Sequence, residues 1–404
     1  MQYFFILGRQ PELSIAELEA IFKRDKITNK RLCATNEFAV FELKQKINPQ
    51  ELLQRLGGTI KIGEIVARLH RVSAGQATNL SATIKSLLPQ TDKKIIFGIN
   101  DYTGKNKPIN LSKQIKKEIE QPARFVYPQQ GEKYLSSVAA EKNKLLTESG
   151  AEFNLFPLDA SQRHCKSRHQ RDAAISNSSL VIGRTLAVQP FEKFSKFDFD
   201  RPNKDAESGM LPPKVATIML NLSEAKKTAT ILDPFCGSGT ILQQAALLGF
   251  EKILGSDFSK KAVEDSQKNI NWLEQQTNRQ FNVEITELDA RTLSDKIAKN
   301  SIDAIVTEPF LGKPLWGNES LNIIKQQISE LEIFYAEILE HLAAVLKKNG
   351  TLVIIVPTFN IKQQTFNLNL EKILGKSNLK IVGSWQYARP NQHVIRNIYK
   401  LGNR

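Results

Sequence analysis

The chain has 404 residues, 56 Lys and Arg against 42 Asp and Glu, and is 41% hydrophobic, which makes it too long for one ordinary core and too apolar to be disordered. At roughly 100–200 residues per domain, that length implies two to four domains. Residues 1–200 carry a net +10 and residues 201–404 a net +4, an asymmetry that points to a polyanionic partner engaged chiefly by the first half, because Lys and Arg gain affinity for phosphates by releasing counterions.

Tyr3–Leu7 is an aromatic and β-branched run, followed by Gly8, Pro11 and apolar positions Leu13, Ala16, Leu18, Ile21 and Phe22 at helical spacing, so strand, turn and helix are expected. A strand at Phe38–Leu43, a helix at Pro49–Leu56 and the Gly57-Gly58 break complete a small α+β domain assigned to residues 1–60. A second α+β domain, 61–158, has strands at Ile62–Leu69 and Lys94–Ile99, a helix around Thr78–Leu88 and a basic helix around Ser112–Glu120. Lys113, Lys116 and Lys117 of that helix, with Arg124, are candidate contacts to RNA phosphates.

Residues 159–204 read as a linker with a basic face, where Arg163, Arg168 and Arg171 are further phosphate candidates. His164, Cys165 and His169 lie there too, but a fourth ligand and a C-x-x-C half are missing, so no metal is expected. Cys33, Cys165 and Cys236 are too few and too widely spaced for a disulfide framework, and the reducing cytosol is the expected compartment. No run approaches the ~18 apolar residues that span a bilayer, and the N-terminus lacks a basic lead-in, so neither export nor membrane insertion is expected.

The third unit, 205–404, is a regular βα alternation with short apolar strands at Ala229–Leu232, Ile253–Ser256, Phe281–Leu288, Asp303–Thr307 and Thr351–Pro357, as in a parallel sheet covered on both faces. Lys380–Tyr387 and Val394–Leu401, joined by a turn-rich segment, are expected to add an antiparallel hairpin at the sheet edge.

The most informative segment is Asp233-Pro234-Phe235-Cys236-Gly237-Ser238-Gly239-Thr240, where a strand runs into a glycine turn and a helix. A P-loop would need Gly-Lys-Ser/Thr, and a dinucleotide loop a third glycine where Leu242 stands, so both phosphate readings fail. Glycines beside an acid suit a cationic ligand, and S-adenosylmethionine carries an ammonium and a sulfonium with no phosphate. Asp257, followed by Phe258, ends the next strand 18 residues after Gly239, where doubly wound folds place the acid for the ribose hydroxyls. Asp289-Ala290 ends the third strand, and Asp289 is placed to accept from the adenine amino group. The fourth strand ends in Thr307-Glu308-Pro309-Phe310, where a methyl acceptor is expected. An exocyclic amine on a base is a poor nucleophile until acceptors draw on its hydrogens, so Glu308 and a neighbouring carbonyl favour the pyramidal amine while Phe310 stacks the base and Pro309 fixes the turn. Trp316, in the loop beyond, is a further stacking candidate.

At these residues the sequence resembles a class I methyltransferase, and more narrowly the THUMP-containing tRNA guanine-N2-methyltransferases. Phe197-Asp198-Phe199-Asp200-Arg201-Pro202 is similar to the family's Arg-Asp-x-x-Arg-Pro, and Gly209-Met210-Leu211-Pro212-Pro213-Lys214 to its pre-strand cofactor segment, which brings Met210, Pro213 and Lys214 into the cofactor set. The match covers about residues 195–312. It implies an α/β fold: a doubly wound, Rossmann-like methyltransferase domain with an antiparallel C-terminal hairpin, preceded by ferredoxin-like and THUMP-like domains. It also implies S-adenosylmethionine as cofactor, tRNA as partner, the N2 amine of a guanosine (commonly position 10) as acceptor and, in some relatives, an accessory subunit. The family's usual Asp-Pro-Pro-Tyr is here Glu-Pro-Phe-Leu, so Phe310 is expected to stack the base from a position displaced by one, with the loop Gly312–Gly317 adjusting. Two alternatives share the residues: an amino-methyltransferase of DNA acting on a flipped base, and a catalytically idle nucleic-acid-binding protein.

Overall fold

The computed structural model describes residues 1–69, 80–158, 179–190, 192, 196, 200–203, 210–375, 377–389 and 392–404. Arg163, Cys165, Arg168, Arg171 and Phe197–Phe199 lie outside the described residues. The chain divides into two compact units, one of residues 1–11, 26–55 and 59–191, the other of residues 12–25, 56–58 and 192–404.

The N-terminal unit is one eight-stranded sheet. Its strands are β1 (Gln2–Leu7), β2 (Asn29–Ala34), β3 (Phe38–Leu43), β4 (Thr59–Leu69), β5 (Ile95–Asp101), β6 (Ala123–Val126), β7 (Gly150–Leu158) and β8 (Ser179–Val188), in the order β2-β3-β1-β4-β8-β7-β5-β6. The domain boundary expected at residue 60 therefore falls inside β4, which pairs antiparallel with β1 on one side and β8 on the other. Backbone hydrogen bonding carries the sheet across that position, and a chain break there would leave a buried ladder unpaired. Strand β2 was not anticipated, because its Asn29-Lys30 start is exposed and the run shows no apolar alternation. Phe4, Phe38 and Phe156 pack ring to ring at centroid distances of 4.6–4.9 Å. The helix Pro108–Glu118 buries Ser112 and Ile115 and turns Lys113, Lys116 and Lys117 to the surface.

The C-terminal unit holds β9 (Thr230–Asp233), β10 (Lys252–Asp257), β11 (Val283–Glu287), β12 (Ile302–Thr307), β13 (Leu346–Ile361), β14 (Gln364–Asn367), β15 (Leu379–Tyr387) and β16 (Val394–Asn403). The order is β11-β10-β9-β12-β13-β16-β15, with β14 pairing β13 at the side. Strands β9 to β13 run parallel, and β16 lies antiparallel between β13 and β15, so the expected hairpin is present. Alternate residues go to opposite faces: Ile231, Ala304, Val306, Val353 and Ile355 enter one core, and Leu232, Ile305, Leu352 and Ile354 the other. Both faces are covered by helices, which is why these strands read as continuous apolar runs.

The N-terminal helix Pro11–Arg24 contributes Leu13, Ala16 and Ala20 to the first of these cores. Its Glu17 is fully buried, and the carboxylate accepts from the Gly57 and Gly58 amides at 2.9 and 2.8 Å and from Asn221 Nδ2 at 2.8 Å. Gly57-Gly58 thus supplies amides to Glu17 just before the chain passes from one unit to the other at Thr59. Burial pushes the Glu17 carboxyl up to about 7, against the lowering effect of these donors. Glu17→Ala would leave three donors without their acceptor, at about 1–3 kcal/mol for each that stays dry. Urea unfolding should show a loss of at least about 2 kcal/mol, and an unchanged midpoint would mean that water takes the place of the carboxylate.

Candidate active site

The strand order reverses between β9 and β12, whose carboxyl ends border the crevice where open α/β sheets bind ligands. The glycine loop leaves β9 there. Gly237 (φ +50°) and Gly239 (φ +83°) take left-handed conformations, and a Cβ on Gly239 would come within 2.4 Å of Ser266 Oγ. A Cβ on Gly237 would meet nothing within 4 Å, so that backbone is open to an incoming molecule. Asp257, at the end of β10, accepts from Gly237 N through Oδ2 and from Ser259 N through Oδ1, both at 3.0 Å, and thereby fixes the loop and the start of the following helix. Cys236 is buried and its thiol is pushed well up by burial, as suits a packing residue.

Asp233, the acid expected to face a cationic ligand, lies inside the fold. It is 1% exposed, and Oδ1 accepts from Thr307 Oγ1 at 2.7 Å and from Phe235 N at 3.2 Å. The physical reason is the pairing of β9 with β12, which sets Thr307 close enough to bond it. Burial pushes the Asp233 carboxyl up to about 7, and the nearby Asp257 and Glu308 charges add to the rise. Pro234 is buried and Phe235 half-buried, edge-on to Phe334 at 5.8 Å between centroids.

Arg201, 2% exposed, donates to Thr240 Oγ1 at 2.6 Å and lies 2.8 Å from Met210 Sδ, so it brings two residues of the expected cofactor set together. Pro213 and Lys214 open the helix Pro213–Leu222. The buried Asn269 was not foreseen: its Nδ2 donates to the Asn203 and Ser238 carbonyls at 2.9 and 2.8 Å, clamping the segment after Arg201 to the loop. The available signal was its place with Ser266, Ile270 and Leu273 on the buried face of the helix Lys260–Thr277. Phe258 is 72% exposed beside Asp257. Asp289 caps the turn Ala290–Thr292 and is ion-paired with Arg291, which holds its carboxyl below the ordinary range, while Ala290 is buried.

Glu308 leaves β12 nearly buried and forms an ion pair with Arg396 of β16, Oε1 to Nε 2.5 Å. Burial raises its carboxyl, and Arg396 opposes the rise. Arg396 was not anticipated, since 88 residues separate the two and only the antiparallel insertion of β16 brings it to this edge. Phe310 is 56% exposed while Leu311 packs against the core, so the side chain displayed here is the aromatic one. Tyr335 OH bonds the Phe310 carbonyl at 3.2 Å. Trp316 is 85% exposed on a loop whose Trp316 and Gly317 amides donate to the Glu319 carboxylate. His393 meets the Asn360 carbonyl through Nδ1 at 3.2 Å. In the N-terminal unit, Arg124 is exposed and bonds Asn143 Oδ1.

Five parallel strands, a hairpin reversed against them and a glycine loop at the switch point define the fold of the class I methyltransferases. Residues 201–381 match the family model described as RMKL-like, methyltransferase domain. Over 138 residues the chain is 36% identical to the tRNA (guanine(10)-N2)-dimethyltransferase of Methanothermobacter thermautotrophicus, covering 34% of this chain and 38% of that one. Over 188 residues it is 30% identical to the enzyme of the same name from Methanocaldococcus jannaschii, covering 45% and 48%. The matched part spans less than half the length of each relative. The crystal structure of TrmN from Thermus thermophilus aligns over 100% of both chains with a TM-score of 0.55 at 14% identity, a likeness of fold.

The Asp233 carboxyl holds a proton to about pH 7 in the fold and releases it near its ordinary 3.8 once unfolded, so its contribution to stability falls as pH rises between those values. Asp233→Asn keeps an acceptor for Thr307 and removes the titration. Calorimetric melting should show the unliganded variant losing less stability than wild type from pH 5 to pH 8, by on the order of 2 kcal/mol. Parallel losses in the two proteins would contradict the assignment.

Proposed function

We propose that this chain transfers a methyl group from S-adenosylmethionine to the exocyclic N2 amine of a guanosine in tRNA, with position 10 the first candidate. The observation that carries the reading is the meeting of the glycine loop and Glu308 at one switch point, in a segment that matches a methyltransferase domain model. The residues fit the cofactor: the open side of Gly237 leaves a cradle that a Cβ would fill, and the carboxylates of Asp257 and Glu308 flank the switch point with negative charge suited to a cation. Gly237, Gly239 and Thr240 would form its floor, Asp257 and Phe258 its ribose and adenine side, and Asp289-Ala290 the far wall, with Met210 and Pro213 flanking. When bound, it supplies an electrophilic methyl carried on a sulfonium.

The chain's own residues prepare the acceptor. Glu308 accepts a hydrogen of the amine, which draws the nitrogen lone pair out of conjugation with the ring, and the same carboxylate or water takes the proton released after transfer. Phe310 offers a ring face to the base, Trp316 a second one to a neighbouring nucleotide, and Pro309 keeps the turn rigid. The N-terminal unit, with Lys113, Lys116, Lys117 and Arg124 exposed, serves as a THUMP-like tRNA-binding module, and the protein acts in the cytosol.

The test is to incubate the protein with radiolabelled cofactor and, separately, unmodified tRNA transcripts and DNA, then digest and identify the labelled nucleoside. The expected product is N2-methylguanosine or its dimethyl form, and label confined to DNA would replace the reading with an amino-methyltransferase of DNA. In the same assay Glu308→Gln should lower kcat roughly 100-fold while calorimetry gives an unchanged Kd for S-adenosylhomocysteine. Full turnover in that variant would remove Glu308 from the chemistry.

A further inference from the structure

We infer that Arg396 is a positioning residue for methyl transfer, holding one oxygen of the Glu308 carboxylate so that the other is presented to the acceptor amine. The inference rests on the reading of Glu308 as the acceptor-site carboxylate. A glutamate has one more rotatable bond than an aspartate, and its oxygens reach further by more than ~1 Å, a displacement that by itself can cost about 100-fold in rate. Something must therefore fix the longer arm. Arg396 Nε contacts Glu308 Oε1, and the two side chains are only 10% and 14% exposed. An ion pair so enclosed is not loosened by solvent exchange as a surface pair is.

The placement of the arginine is set by the sheet. Arg396 stands opposite Pro357 of β13 on one side and Tyr387 of β15 on the other, while β13 is the direct neighbour of β12, from whose end Glu308 projects. The guanidinium is thus delivered by rigid, doubly paired strand backbone rather than by a loop. Among the described residues Glu308 has no donor other than Arg396, which leaves Oε2 as the unengaged acceptor. Arginine suits the task because its fork is planar and always charged, whereas a lysine presents a single flexible point charge.

A double-mutant cycle on the full chain tests this. Arg396→Met should lower kcat roughly 100-fold, with Kd for S-adenosylhomocysteine within about 2-fold of wild type by calorimetry, and Arg396→Lys should recover about 10-fold of the loss. In the Glu308→Gln background, Arg396→Met should have no further effect beyond about 2-fold, because a residue that acts through Glu308 has nothing left to position. Wild-type kcat in Arg396→Met, losses that multiply independently with those of Glu308→Gln, or an equal loss of cofactor affinity would each overturn the inference. If wild type methylates an amine other than guanosine N2, the substrate reading fails, and the same cycle run on that acceptor still decides the role of Arg396.

Discussion

A parallel sheet brings the carboxyl ends of its strands to one edge, and in this chain the ends of β9, β10 and β12 carry the acids Asp233, Asp257 and Glu308, while Asp289 beyond β11 is paired with Arg291. Like charges gathered in a poorly solvated edge repel, and each must be neutralised, hydrogen-bonded or matched by a cation. The rest of the site follows from how the three are settled. Asp233 is buried with its proton favoured, Asp257 is bonded by two backbone amides, and Glu308 takes the guanidinium of Arg396. Glu308 keeps an oxygen that no group of the described chain has claimed, as does Asp233, whose two donors both meet Oδ1, but the Asp233 side chain is buried.

These arrangements also link the two halves of the crevice. The bond from Thr307 to Asp233 ties the residue before Glu308 to the residue that opens the glycine loop. Arg201 and Asn269 hold the loop from its other side, through Thr240 and the Ser238 carbonyl. Most of these contacts are buried, where an unpaired group is costly, so loop and acid are fixed relative to each other before any ligand arrives. Preorganisation of this kind suits a displacement in which positioning supplies much of the rate.

The N-terminal helix shows how far chain order departs from spatial order. Residues 12–25 follow β1 in sequence but contribute Leu13, Ala16 and Glu17 to the C-terminal unit, while β1 itself pairs within the N-terminal sheet. Helical spacing was legible; which core the apolar stripe enters was not, because periodicity states that a face is buried and is silent about its partner. The same limit applies near residue 60, where the chain passes between units at Gly58–Thr59 and the strand that follows joins the sheet of β1. A glycine pair reads as a break, and only the surrounding structure shows it serving as a pair of amides for Glu17.

Strand ends, glycine loop and the row of acids were readable from the amino-acid sequence because they are local: a strand's apolar run, the residues that close it and the turn that follows are contiguous, and their spacing encodes the doubly wound order. The terminal hairpin was legible on the same ground. The inward turn of Asp233, the clamp by Asn269 and the pairing of Glu308 with Arg396 belong to the tertiary structure alone. Each depends on which strand or helix lies beside which, and 88 residues of intervening chain carry no local mark of the β16 insertion that delivers the arginine. The sequence determined the residues that meet at the sheet edge; packing decided which of them keeps an oxygen for the substrate.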